Sequence, residues 1–434
     1  MKERNHWINK LTALLIVFLL MLACAPPEAA FCADEAQLLK GVILCRHGVR
    51  SPTMSAEELA SWSKKSWPAW PVKRGELTAR GSALVFQQWD EMRGHLDALG
   101  VKPNEVFICA DAMQRTRATA SSIAQALAPD GNIAPPLSDK EAVTPLFHPV
   151  KSGLTVLNKD LAYKDIIADA GGSLAALKQK LSPELAVLAQ ICGPLPQKSC
   201  EKYNLPKDAN FLALPSEVSF GADGLSAKLT GGIEAASSIA EIFLLEYCQF
   251  PDKNSGWGMV NAEVLENILP VHTVIFDTVN RAPAVATAKA GPLAHFMVTT
   301  LLSAVADKNI SSVVSVPARA SKVCVLVGHD TNIAGVGELL GLTWQLPGFS
   351  ANEIPPGSAL GLFLWQRGDK RFVTAIFSGL SLAAMHSSLQ PNDTVNRNHL
   401  SLAHPIRQKG GSAFECPAED FAALTQSLKP SFAK

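Results

Sequence analysis

The chain has 434 residues, 47% of them hydrophobic, with 39 basic and 39 acidic side chains. That length can bury a sizeable core and suggests two or so domains, and the apolar content excludes a disordered chain. Charge neutrality argues against nucleic acid as a partner, so any anion site must be local.

The N-terminus reads as an export signal. Lys2, Arg4 and Lys10 precede the apolar run LTALLIVFLLMLACA at 11–25, which Pro26 and Pro27 break. The run is short of the roughly 20 residues that a membrane span needs. Cleavage is expected after Cys32, with Ala30 and Cys32 as the small residues. Lipid attachment at Cys24 is the rival, although Met21 and Leu22 make a poor lipid-attachment sequence. Residues 1–32 are therefore assigned to a signal peptide, leaving an exported chain with no transmembrane span. Their removal takes away three basic and two acidic residues and leaves one net negative charge.

Next comes GVILC at 41–45, a short apolar run of the kind found in strands buried on both faces. Val85, Trp89, Met92, Leu96 and Leu99 then step at helical spacing and stop at Gly100. VFIC at 106–109 is a second strand, followed by a helix carrying Ala120, Ile123, Ala124 and Leu127. KVCVLV at 322–327 is a third strand, followed by Ile333, Val336 and Leu340 on a helix that ends at Gly341. Strand–loop–helix repeated in this way implies a layered α/β domain with a mostly parallel central sheet. The stretch 146–264 shows helical patterns and few strand signals, with GGIEAASSIAEIFLLEYC its clearest helix. It reads as a helical cap inserted between 33–145 and 265–434. SALGLFLW and RFVTAIFS around QRGDK signal a hairpin of antiparallel edge strands.

Seven cysteines lie beyond residue 32. Cys45, Cys109 and Cys324 sit on apolar runs and read as buried small hydrophobes. Export permits disulfides, and the short loop CGPLPQKSC is expected to close through Cys192 and Cys200. The odd count leaves at least one thiol free or paired between molecules, and the partners of Cys45, Cys109, Cys248, Cys324 and Cys416 stay open.

Ligands of open α/β sheets bind beyond the carboxyl ends of the strands. The three strands end there in polar clusters: Arg46, His47 and Arg50; Asp111 and then Arg115; His329 and Asp330. Brought together, the arginines offer planar donor forks to a phosphate. A neutral histidine among them can attack phosphorus, and a rim carboxylic acid can protonate the leaving alkoxide. No residue spacing typical of a metal site appears, so no cofactor is expected. Trp67 and Trp70 fit either a binding wall or packing under a loop.

RHGVRSPT at 46–53 together with HDTN at 329–332 resembles the histidine acid phosphatases. WPAWPVKRGELTARG, QRTRAT, EIFLL, WQLPG and IPPGS are similar to the bacterial periplasmic phytase branch. The resemblance implies that His47 is a nucleophile forming a phosphohistidine. It implies that Arg46, Arg50, Arg115 and His329 bind the phosphoryl group, and that Asp330 is the proton donor. Thr53 and Glu241 match positions near substrate, and Asp111 is added as a nearby carboxylate. Met54 stands where that branch tends to have lysine, and Lys289 where an arginine is expected. Cys416 lacks its usual nearby partner. The expected function is an exported, monomeric, periplasmic acid phosphatase acting on small phosphomonoesters, phytate first. The alternatives are a glucose-1-phosphatase or broad sugar-phosphate phosphatase and, remotely, an exported phosphate-ester binding protein without turnover.

Overall fold

The computed structural model describes residues 36–133, 145–221, 224–304, 318, 320–387, 395–400, 402 and 414–427. The expected signal segment and Cys24 lie outside these residues. Among the described residues no helix is long and apolar enough to cross a membrane.

The three anticipated strands are β1 (Gln37–Arg46), β2 (Val106–Ala110) and β5 (Val323–Gly328). They lie in the order β2–β5–β1 and run parallel, with Arg46 opposite Gly328 and Ala110 opposite Val327. That register brings their carboxyl ends level. Strands β3 (Glu217–Phe220) and β4 (Ala227–Thr230) form a separate hairpin. The main sheet continues through β6 (Ala359–Arg367), β7 (Lys370–Gly379) and β8 (Asn396–Leu400), with β9 (Cys416–Pro417) also paired to β7. These later pairings are antiparallel. The β6–β7 hairpin is as expected, but β6 lies against β1 and β7 is flanked by β8 and β9, so neither is an edge.

Alternation along the strands explains their unbroken hydrophobicity. Val42 and Leu44 of β1, with Cys324 and Leu326 of β5, face one core. Ile43 and Cys45, with Val323, Val325 and Val327, face the other. A strand buried on both faces has no side left for polar residues. The second core is closed by the helices Ala79–Ala98 and Gln114–Leu127, whose Trp89, Leu96, Ile123 and Leu127 are those read from the periodicity. Gly100 and Gly341 follow their helices at φ +67° and +62°, the left-handed turn that glycine takes at least cost.

The middle of the chain forms the helices Lys159–Asp169, Leu174–Lys180, Ser182–Cys192, Gln197–Lys202 and Gly232–Gln249. The β3–β4 hairpin among them went unanticipated, because four-residue strands with half-buried faces carry little pattern. The expected boundary at 264 falls inside the continuous helix Ala262–Asn280. Ile239 and Phe243 from the middle region share one apolar core with Leu44 and Leu326 of the sheet.

The expected bridge between Cys192 and Cys200 is absent, and both are buried thiols. Cys192 ends its helix beside Lys65 and Glu246, and burial pushes its thiol up to about 12. Cys200 Sγ instead faces the Leu195 carbonyl at 4.0 Å. Leu195 is buried and its N–H donates to the Ala209 carbonyl, which holds the loop between the two thiols in place.

Glu246, on the Gly232–Gln249 helix, is 3% exposed. Its Oε2 accepts from Gly256 N at 3.0 Å, while Oε1 is buried with no partner among the described residues. Burial pushes this carboxyl up to about 7, against an ordinary value of 4.5. The folded chain thus holds a proton that the unfolded chain releases from about pH 4.5 upward. Stability from this group is complete below that point and falls as pH rises towards 7, by about 3 kcal/mol. Glu246→Gln should flatten this part of the dependence. Thermal melts of both proteins from pH 4.5 to 8 check it, and parallel curves would refute the assignment.

Candidate active site

Arg46 is the last residue of β1 and His47 the first beyond it. Their backbone is pinned from both sides. Arg46 N donates to the Ser358 carbonyl at 2.9 Å and His47 N to the Gly328 carbonyl at 3.1 Å, while the His47 carbonyl accepts from Gly357 N at 2.9 Å. Gly81, near the start of the Ala79–Ala98 helix, lets that helix press against the following loop. A Cβ there would lie 2.2 Å from the Val49 carbonyl oxygen.

The three arginines converge as expected. Arg46 is fully buried, and its Nη2 reaches Glu241 Oε1 at 2.6 Å and Asp330 Oδ2 at 2.8 Å; its Nη1 donates to the Ile354 carbonyl. Arg50 Nη2 bonds both oxygens of Glu241, at 2.9 and 3.1 Å. Glu241 therefore binds the arginines. Removing one member of such a buried pair strands an uncompensated charge, at about 3–5 kcal/mol. Burial pushes the Glu241 carboxyl up, but Arg50 and Arg46 outweigh it and hold it far below the carboxylate range. The Nε atoms of Arg46, Arg50 and Arg115 are buried without partners among the described residues.

His47 is 2% exposed, with Nδ1 2.9 Å from the Gly48 carbonyl oxygen. The carbonyl can only accept, so Nδ1 carries the proton and Nε2 keeps the lone pair. Burial, then Arg46, Arg50 and Arg115, hold the ring well below its ordinary value of 6.5. Burial and the three arginines thus favour the neutral imidazole.

His329 lies 5.6 Å from His47, centroid to centroid. Its Nε2 is 2.8 Å from Asp111 Oδ2 and its Nδ1 is 3.4 Å from Arg115 Nη2. Asp111 was expected beside the phosphate or paired with Arg115. Its carboxylate instead holds His329 and, at 3.0 Å, His148. His148 had no signal in the sequence, because its loop residue meets Asp111 only in the fold. Burial raises Asp111, and the two imidazoles more than reverse this. Burial and the neighbouring Arg50 lower Arg115 to about 10.

Asp330 opens the helix Asp330–Leu339, where its Oδ1 accepts from Thr331 N at 2.8 Å. Burial raises its carboxyl, but Arg46 prevails and the acid sits below its ordinary range. Arg46 and Arg50 thus share Glu241, and Arg46 also meets Asp330.

The outlying candidates are less central. Thr53 is exposed and lies with Arg115 against Gly75, whose carbonyl accepts from Arg115 Nη1 at 3.5 Å. Met54 lines a neighbouring cleft of about 790 Å³ with Pro52, Trp67, Trp70 and Arg74. Trp67 also packs on Phe243 and Trp257, and Trp70 on Phe250. Lys289 is half-buried on the helix Pro283–Leu302 and makes no hydrogen bond or ion pair among the described residues; burial lowers its ammonium. The structure does not join it to the arginine cluster.

The sequence profile of the histidine phosphatase superfamily, branch 2, matches residues 37–378. The chain belongs to that family. It is 34% identical to the phytase AppA of Escherichia coli K12 over 369 residues, covering 82% of this chain and 83% of that one. It is 27% identical to a glucose-1-phosphatase of Salmonella typhimurium, covering 71% and 72%. The phytase of Hafnia alvei in complex with myo-inositol hexakis sulphate superposes with a TM-score of 0.78 at 29% identity, covering 90% and 97%. This histidine phosphatase is thus a phosphomonoester hydrolase, and its fold is that of the bacterial phytases.

Proposed function

We propose that the enzyme is an exported, periplasmic phosphatase whose preferred substrate is phytate, hydrolysed through a phosphohistidine on His47. The observation that carries this reading is the neutral His47 ring set among Arg46, Arg50 and Arg115. In the proposed cycle a phosphate dianion is held by the three arginines, and His329, whose two ring nitrogens are taken by Asp111 and Arg115, positions Arg115 rather than binding the phosphate itself. His47 Nε2 forms a bond to phosphorus as the ester P–O bond breaks, and Asp330 protonates the departing oxygen. Water then attacks the phosphohistidine, giving up a proton to Asp330, and phosphate leaves. The kinship with phytases, one of them in complex with a hexasulphated inositol, supports phytate as substrate.

A second reading, glucose-1-phosphatase, draws on Met54 and Lys289. An uncharged Met54 in the cleft and a Lys289 apart from the arginines offer a polyphosphate less positive charge. The test is kcat/KM for phytate and for glucose 1-phosphate, side by side at acid pH. Phytate should lead by at least ~10-fold, the ratio that about 1.4 kcal/mol of added ionic contact supplies. A lead for glucose 1-phosphate would overturn the phytate reading and leave the phosphatase chemistry standing.

A further inference from the structure

The group behind His329 has a chemistry that phosphate transfer does not use. Asp111 Oδ2 takes hydrogen bonds from His148 Nε2 at 3.0 Å and His329 Nε2 at 2.8 Å. The three ligand atoms lie within 4.8 Å of one another. The Asp111 side chain is 1% exposed, and its second oxygen, Oδ1, is buried with no partner among the described residues. A buried carboxylate ordinarily satisfies both oxygens. His148 is 28% exposed and connects the group to solvent. Two imidazoles and a carboxylate are a donor set for zinc-type ions.

We propose that Asp111, His148 and His329 form an inhibitory site for a divalent transition-metal ion, entered past His148. Coordination uses the lone pair of each imidazole Nε2, so each Nε2 proton moves through solvent to Nδ1. No electron is transferred and no net proton is released. At His329 this shift has a consequence. Nδ1, now an acceptor 3.4 Å from Arg115 Nη2, becomes an N–H facing another N–H. Donor opposes donor, and Arg115 is driven from its phosphate-binding position. The ion therefore inhibits without touching His47.

Binding is a property of the three ligands, and inhibition rests on the phosphatase reading, so the experiment reads both. Metal-free protein is titrated with Co²⁺ at pH 7 and followed by visible absorption. Zn²⁺ inhibition is measured separately on an aryl phosphate, because phytate would itself sequester the metal. Wild type should bind one Co²⁺ with bands that Zn²⁺ displaces, and EDTA should reverse the inhibition. His148→Asn, with His148→Gln as a second folded variant, should weaken cobalt binding and raise the zinc inhibition constant by the same factor, at least ~10-fold. The proposal is overturned if folded wild type gives no stoichiometric cobalt spectrum, or if both variants are inhibited like wild type. A cobalt spectrum that depends on His148 in a chain that hydrolyses no ester would uphold the metal site and count against the phosphatase reading alone.

Discussion

His47→Ala should reduce turnover on every phosphomonoester by at least ~10⁴-fold, towards the level left when a covalent nucleophile is lost and binding groups remain. The structure gives the reason. Nε2 makes no hydrogen bond among the described residues, whereas Nδ1 is tied to the Gly48 carbonyl. The ring therefore points a lone pair at the site and cannot turn away from it. Among the described residues no second unprotonated nucleophile stands beside the three arginines: His329 is committed to Asp111 and Arg115. The fold should survive, because the backbone at this residue is held by Gly328 and Gly357 and not by the ring. Alkaline quenching during turnover of a radiolabelled ester should trap a phosphorylated wild-type enzyme and an unlabelled variant, because the P–N bond of a phosphohistidine survives base and is cleaved by acid. A variant that keeps within tenfold of normal kcat would exclude His47 as the attacking group.

What the sequence disclosed follows from what kind of residue sits where. Arg46, His47, Arg50, His329 and Asp330 were legible because each abruptly ends an apolar run, and the parallel register of β2, β5 and β1 brings those ends together. The helices Ala79–Ala98 and Gln114–Leu127 were legible because one face of each is packed and periodic. Glu241 was harder. On an amphipathic helix a glutamate reads as a solvated face, and only the tertiary fold shows it bridging two buried arginines. His148 was illegible for a related reason: 37 residues separate it from Asp111 and a further stretch separates both from His329, so no local spacing marks the group. The boundary placed at 264 falls inside a continuous helix, because a change in composition need not coincide with a break in a helix.

Asp330→Asn should separate substrates by the basicity of their leaving groups. Alkyl phosphates such as glycerol phosphate or phytate should lose roughly 10²–10⁴-fold in kcat, the range of a general-acid contribution. An activated aryl phosphate, whose oxygen departs without a proton, should lose far less. Arg46 holds the Asp330 carboxyl below its ordinary range and thus ionised near neutrality. A general acid must be protonated, so the proton has to arrive with the substrate. The charges show how. Arg46 and Arg50 are already engaged by Glu241 and Asp330, so a bound phosphate dianion adds negative charge beside a carboxylate that shares its arginine. It also competes for the Arg46 guanidinium. Both effects raise the carboxyl, and Glu241, already pushing in that direction, adds to them. With alkyl phosphates, kcat should therefore fall as pH rises through the pKa of Asp330 in the complex, and Asp330→Asn should remove that limb. Equal losses on alkyl and aryl phosphates, or an unchanged limb in the variant, would move the acid role to another group.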